Sequence, residues 1–228
     1  MFTSTNVKNT IWFSLVIQLI TGIIPLHSLF IDINTKHVIL KDILILETVV
    51  QFIEMIFYIW IAFAVLNVKK MASRRYIDWI ITTPAMLLST IMFMEYQKIK
   101  ERKNLDKEPI RTSKFLKDNK ENIYKIFTYN LLMLISGFLG EQNIVPKTLT
   151  IPIGFIFFLK TFELIYNNYA NTSVLGKQLF YYLFIVWALY GVAATFKPNI
   201  KNISYNLLDI VSKNFYGLFI YYQIMSIN

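Results

Sequence analysis

Seven long apolar segments, separated by short polar connections, occupy almost the whole chain of 228 residues. A helix needs about 20 apolar residues to cross a hydrocarbon core of about 30 Å, and each segment is long enough. Strands of a membrane barrel would be about ten residues long and would alternate strictly between apolar and polar residues, which these segments do not. We therefore predict an all-α membrane protein, a single domain formed by a bundle of seven transmembrane helices. The predicted spans are approximately 10–32, 40–66, 74–97, 121–141, 148–169, 176–196 and 201–226.

The composition supports a membrane bundle over other classes of protein. Hydrophobic residues make up 55% of the chain and charged residues only 16%, whereas a soluble domain has about 25% charged residues. The net charge of +9 comes from lysines and arginines between the apolar segments, which indicates membrane topology rather than nucleic-acid binding. The chain has no cysteine, which rules out cysteine metal sites. We expect no bound metal and no enzymatic activity.

The distribution of basic residues predicts the orientation in the membrane. With the N-terminus outside, the inner connections carry twelve lysines and arginines and the outer connections carry seven. Because cytoplasmic loops are enriched in these residues, we expect the N-terminus outside and the C-terminus inside. The connection between the third and fourth segments supplies nine of the twelve. Contact with anionic lipid is a second interpretation of that connection.

Ionisable residues inside the third and seventh segments are functional candidates, because such groups are costly in a membrane. Asp209 and Lys213 are four residues apart and share one helical face, a pattern that also fits an ion pair that only fixes helix packing. Arg75, Asp78 and Thr82 form one stripe in the third segment, where Thr82 can donate a hydrogen bond to Asp78. Two nearby carboxylates would keep the Lys213 amine, or an imine made from it, protonated.

Three motifs, in their order along the chain, resemble those of the microbial rhodopsins. They are RYIDWIITTP in the third segment, WALYG in the sixth and LLDIVSK in the seventh. The resemblance covers all seven segments and implies a membrane photoreceptor that binds all-trans retinal covalently, as a Schiff base on Lys213. It further implies that Asp78 is the principal counterion and proton acceptor and that Asp209 is the second carboxylate. Arg75 would then lie on the outer side of both.

The same resemblance implies which residues surround the retinal. Those expected along the polyene or near its ring are Trp79, Thr83, Trp187, Tyr190, Met133 and Gly137, with Tyr58 as a further contact from the second segment. Ordinary core or lipid-facing packing is the alternative for the aromatic residues.

Two departures from the family's proton-pump pattern bear on transport. Pumps usually have a carboxylate seven residues beyond the position of Thr82, where this chain has Ser89, which cannot serve as a proton donor at physiological pH. Archaeal pumps also have paired glutamates near the outer ends of the last spans, whereas residues 188–208 contain neither Asp nor Glu. Efficient proton uptake and release is therefore in doubt.

A polar stripe in the second segment favours a channel instead. Glu47, Gln51 and Glu54 fall at i, i+4 and i+7 and so lie on one helical face. A hydrated cation path between the first, second, third and seventh spans is one interpretation, since carboxylates that line a pore attract cations. A helix interface with internal hydrogen bonds is the other. Further candidates for the path are Ser14, Gln18 and Asn214.

Glutamates along the second helix and an asparagine after the lysine resemble the channelrhodopsin pattern, and Ser89 and the small size resemble rhodopsins encoded by giant viruses. The resemblance implies a viral, multi-pass integral membrane protein that acts as a light-gated cation channel. A light-driven outward proton pump is the alternative, followed by a sensory rhodopsin that signals through a partner. The expected partners are membrane lipid and the transported cation or proton, and we also consider a homo-oligomer.

Overall fold

The computed structural model describes residues 3–64, 68–103, 105 and 109–227, and within these residues it contains seven long helices and no strand. We number the helices α1 to α7 in chain order. The first six are Ser4–Ile23, Val38–Ala64, Val68–Glu101, Lys120–Glu141, Lys147–Asn168 and Val174–Ala193. The last, α7, consists of three consecutive segments, Pro198–Asp209, the π-helical Ile210–Asn214 and Phe215–Met225. Shorter helical turns lie at Leu26–Leu29, Thr35–His37, Thr112–Asp118 and Ala170–Thr172. The prediction of an all-α bundle of seven helices is confirmed.

The first helix is displaced toward the N-terminus relative to its predicted span. Thr3 and Asn6 form a reciprocal capping box, in which the side chain of each accepts a hydrogen bond from the backbone N–H of the other, so the helix begins at Ser4. It ends at Ile23, shortly before Pro25, which lacks the N–H that a continuing helix would need.

The third helix begins at Val68, about six residues before its predicted span. The apolar run marks the part of a helix that lies in the hydrocarbon, whereas the helix itself continues into polar residues. Residues 65 and 66 of the second predicted span lie outside the described residues.

The distribution of side chains is that of an integral, multi-pass membrane protein. Helices α1 to α6 are long and apolar enough to cross a membrane, while the π-helical segment divides α7 into stretches of 12, 5 and 11 residues. Large apolar side chains such as Phe13, Phe63 and Ile77 face outward, and polar ones such as Glu54 and Arg75 are buried. A protein that exposes large apolar side chains and buries its ionisable ones within the bundle is suited to a lipid environment.

Neighbouring helices run in opposite directions. Glu141, Lys147 and Lys201 meet at the side where α5 and α7 begin, and Glu101 contacts the backbone of Val174 at the opposite side. We call these the N-terminal side and the C-terminal side of the bundle. Helices α1, α2, α3 and α7 pack around the polar interior, while α4 and α5 pack against each other.

Candidate functional site

At the centre of the bundle, Lys213 lies close to three carboxylates. Its Nζ is 2.7 Å from Asp78 Oδ2, 3.4 Å from Glu54 Oε1 and 3.7 Å from Asp209 Oδ1. All four side chains are buried. The sequence pattern predicted the two aspartates around the lysine, but it assigned Glu54 to a transport path. The third helix, the seventh helix and the second helix therefore each supply one carboxylate to the same amine.

Arg75 lies beside Asp209 on the N-terminal side of this cluster. Its Nη1 donates to Asp209 Oδ2 at 2.7 Å and to the Tyr58 hydroxyl at 3.2 Å, and its Nη2 donates to Asn206 Oδ1. The Tyr58 hydroxyl donates to the same Asp209 oxygen at 2.7 Å. With Lys213, the cluster has two cationic groups and three carboxyls. One proton on a carboxyl would therefore make the cluster neutral, which lowers the cost of burying it.

Thr82 does not donate its hydrogen bond to the Asp78 carboxylate, as its position one turn away suggested. Its hydroxyl donates instead to the backbone carbonyl of Asp78 at 3.0 Å. A threonine inside a helix readily donates to the carbonyl four residues earlier, and this geometry takes the hydroxyl away from the carboxylate. The Oδ1 atom of Asp78 has no hydrogen-bond partner in the part of the chain that the structure describes.

Asp209, in contrast, accepts hydrogen bonds on both carboxylate oxygens. In addition to the bonds from Arg75 and Tyr58, the Tyr190 hydroxyl donates to Asp209 Oδ1 at 2.7 Å, and it also lies 2.8 Å from the Ser212 hydroxyl. Ser212 belongs to the π-helical segment that carries Lys213. Such segments are frequent at functional sites, and this one distinguishes the centre of α7 from the regular helix that the sequence pattern predicted.

An apolar cavity extends from Lys213 between α3, α4, α5 and α6. It is lined by six residues that the family resemblance implied as walls, namely Trp79, Thr83, Met133, Gly137, Trp187 and Tyr190. The aromatic walls are close together, since the Trp79 ring centroid lies 5.6 Å from that of Tyr190 and 5.2 Å from that of Tyr205. Tyr58 does not line this cavity, because its hydroxyl is directed toward Asp209 and Arg75.

Sequence reasoning missed several other wall residues. They are Tyr76, Met86, Leu134, Thr150, Ile151, Gly154, Phe155, Phe158, Ala194, Tyr205 and Ser212. Gly191, the last residue of the WALYG motif, makes room for one of them, because a Cβ at this position would lie 2.5 Å from Phe155 Cζ. The recurrence of Phe155 and Phe158 at i, i+3 was the one available signal, and it also fits ordinary packing.

Comparison with models of protein families identifies the class of protein. The model of the family described as bacteriorhodopsin-like proteins matches residues 9–227. The chain belongs to this family. The resemblance to microbial rhodopsins is thus confirmed, and members of the family bind retinal. A search of curated proteins finds no match.

Solved structures of several rhodopsins have the same fold. A viral rhodopsin, OLPVRII, is 24% identical, with 97% of this chain and 99% of that one covered and a TM-score of 0.83. A blue light-absorbing proteorhodopsin from Med12 is 20% identical over 96% of each chain, with a TM-score of 0.73. Xanthorhodopsin, described as a light-driven ion pump with a dual chromophore, is 17% identical over 96% of this chain and 92% of that one, with a TM-score of 0.70.

The chemistry of the cavity in this family member suits retinal. Its walls are largely aromatic and aliphatic, as an apolar polyene requires, and it ends at the amine of Lys213. An aldehyde at that end could form an imine with the amine, and the surrounding carboxylates would hold the positive charge of the protonated imine. The residues present therefore fit the cofactor.

Buried polar side chains continue from Lys213 toward the C-terminal side, between α1, α2, α3 and α7. Ser89 on α3 donates a hydrogen bond to Glu47 Oε1 on α2. The carboxyl of Glu47 therefore lies beside the position on α3 where proton pumps usually have a carboxylate. Asn214 Nδ2 donates to Thr21 Oγ1 at 2.9 Å. Ser14 lies elsewhere, since its hydroxyl donates to the backbone carbonyl of Asn206 at 3.0 Å.

Many polar atoms of this region have no hydrogen-bond partner among the described residues. The side chains concerned are Gln18, Glu47, Gln51, Glu54, Asn214 and Tyr216. Nearly all buried polar groups in native proteins are bonded to protein or to ordered water, so these atoms could bind water. We call these six side chains the polar file.

Proposed function

We propose that the protein is a light-gated cation channel whose retinal is bound covalently to Lys213 and is all-trans in the dark. Retinal, when bound, supplies the absorption of visible light and the isomerisation that follows. The observation that carries the channel function is the polar file between α1, α2, α3 and α7, with its unpartnered buried atoms. In the proposed orientation the N-terminus lies outside, so the polar file connects the retinal site with the inside.

Asp78 is the proposed counterion and proton acceptor. It provides the carboxylate oxygen nearest to Lys213 Nζ, at 2.7 Å, and its second oxygen has no hydrogen-bond partner among the described residues. Asp209 has both of its oxygens engaged by Arg75, Tyr58 and Tyr190. Asp78 offers the acceptor oxygen nearest to the amine, so the proton of Lys213 Nζ moves to Asp78.

Asp78→Asn is expected to shift the absorption maximum to longer wavelength. The carboxylate stabilises the positive charge at Lys213 Nζ in the ground state of the chromophore. Removal of the carboxylate therefore reduces the energy difference between the ground state and the excited state. Acid titration of the unmodified protein, followed by visible spectroscopy, should produce a shift in the same direction. An unchanged spectrum in Asp78→Asn would transfer the main counterion role to Asp209 or Glu54.

Movement of the Lys213 proton to Asp78 also gives a physical basis for gating. In the dark, a positive charge at Lys213 Nζ lies 3.4 Å from Glu54 Oε1. Glu54 is at the end of the polar file that is nearest to the retinal site. Two unit charges at about 4 Å interact by about 4 kcal/mol at an effective dielectric constant of about 20. The transfer neutralises Lys213 Nζ and the Asp78 carboxylate together, so the total charge is unchanged, and the repulsion felt by a cation beside Glu54 falls by only a part of that energy. The carboxyls of Glu54 and Glu47 favour cations over anions along the file.

Light-evoked current at several holding voltages tests the proposal. A channel passes current that reverses with the electrochemical gradient, whereas the current of a pump keeps its direction over a wide range of voltages. A current that never reverses would reject the channel. Orientation in the membrane and assembly into a homo-oligomer stay predictions.

A second candidate function, an outward proton pump, is favoured by the contact between Ser89 and Glu47. In a pump, Glu47 could return a proton to Lys213 Nζ from the inside, in place of the missing carboxyl at position 89. Glu47→Gln would then slow the recovery of the dark absorption band several-fold, and added azide or another small weak acid would restore it. If the protein is a channel, Glu47→Gln should alter the light-evoked current instead. Light-driven acidification should then be absent in the unmodified protein and in the variant.

A further inference from the structure

The amide of Gln51 occupies space that Gly217 leaves open. A Cβ on Gly217 would overlap Gln51 Nε2 and lie 3.2 Å from Gln51 Cδ. On the α1 side, a Cβ on Gly22 would lie 3.9 Å from Gln51 Oε1, which is an ordinary contact. Gln51 is only 3% exposed, and neither polar atom of its amide has a hydrogen-bond partner among the described residues. The amide therefore projects from α2 into the narrow space between α1 and α7.

Gln51 also separates the two carboxyls of the polar file. Glu47 is four residues earlier on the same face of α2 and Glu54 is three residues later, which places their Cα atoms about 6 Å and 4.5 Å away along the axis. Glu47 is bonded to Ser89, and Glu54 lies beside Lys213. All three side chains are buried. The amide of Gln51 therefore lies between the two carboxyls along the axis of α2.

We propose that Gln51, seated against Gly217, is the constriction of the cation path and selects cations by size. This inference rests on the proposed channel function and deepens it. The amide is neutral, so a cation is attracted to the carboxyls on either side and meets its narrowest passage between them. The amide oxygen replaces part of the hydration shell of a small cation, and the bulk of the amide excludes a large one. Gly217 is required because only a residue without a Cβ leaves room for the amide.

Relative permeability to methylammonium and sodium tests the constriction. It is obtained from reversal potentials of the light-evoked current, with one cation on each side of the membrane. Gln51→Ala removes the amide and should raise the permeability ratio of methylammonium to sodium several-fold. Gly217→Ala displaces the flexible end of Gln51 into the path, so it should lower both the ratio and the total current. Gly22→Ala is the matched control, because its Cβ makes only an ordinary contact with the same amide, and it should leave the ratio unchanged.

The visible absorption band of each variant shows whether it has folded and bound retinal. Passive current with an unchanged ratio in both Gln51→Ala and Gly217→Ala would overturn the constriction and leave the channel in place. An equal change in Gly22→Ala would also overturn it, because general packing of α1 against α2 and α7 would then set the ratio. Absence of passive current in the unmodified protein would reject the channel function itself, and the constriction with it.

Discussion

Replacing Lys213 by arginine or alanine is expected to abolish the visible absorption band completely. A covalent imine needs a primary amine, and Lys213 presents one at the end of the aromatic cavity. The other buried lysine of α7, Lys201, lies three turns away and is bonded to Glu141 at 2.6 Å. The measurement is the visible spectrum of the purified protein after addition of all-trans retinal.

The two substitutions separate chromophore binding from stability. Lys213→Ala takes the nearest cation away from the buried carboxyls of Asp78 and Glu54, and the loss of one partner of a buried pair costs several kcal/mol. Lys213→Arg retains the positive charge but cannot form an imine, so it should fold and still lack the band. Lys160→Ala is the control, because Lys160 is an exposed partner of Glu163 and does not line the cavity. A normal band in Lys213→Arg would place the attachment site elsewhere.

Glu54→Gln is expected to reduce the light-evoked cation current roughly tenfold or more, which corresponds to about 1.4 kcal/mol in the barrier, while the pigment still forms. Glutamine retains the shape and the hydrogen-bonding capacity of the side chain but removes the negative charge beside Lys213. A cation that enters the retinal end of the polar file loses its main source of attraction. Current should be normalised to the amount of pigment, so that expression does not affect the comparison.

Glu163→Gln provides the matched control for this substitution. Glu163 forms an exposed ion pair with Lys160 at 2.9 Å, remote from the polar file, and the change of chemical groups is identical. We expect normal current in this variant. Undiminished current in Glu54→Gln would remove Glu54 from the path. Outward acidification that persists against an opposing voltage, and that Glu54→Gln does not alter, would favour the proton pump.

The sequence predicted the centre of the site because charged residues are rare inside apolar helices. Asp209 and Lys213 are one turn apart, and Arg75 and Asp78 share a stripe, so helical periodicity alone places each pair on one face. The cost of exposing such groups to lipid then directs both faces toward the interior. Local spacing and membrane energetics were sufficient to predict that these residues lie together in the interior. The prediction agrees with the contacts between α3 and α7.

The sequence could not predict contacts between residues on different helices, because the spacing of residues along one helix does not relate them. The sequence did not indicate that Glu54 approaches Lys213, that Glu47 is bonded to Ser89, or that Gly217 accommodates Gln51. These contacts depend on the rotation and axial shift of one helix against another, which are set by the packing of the whole bundle. The same applies to Tyr58, which the motif resemblance assigned to the retinal walls.

The reversal potential of the light-evoked current, measured in the unmodified protein at two external concentrations of a monovalent cation, tests the light-gated channel most directly. For a cation-selective channel we expect a shift of about 59 mV for each tenfold change in concentration, which is the Nernst slope for a singly charged ion. Replacement of the anion at constant cation concentration should leave the reversal potential unchanged. A photocurrent that keeps one direction at all accessible voltages, and that does not respond to the cation gradient, would contradict the light-gated cation channel.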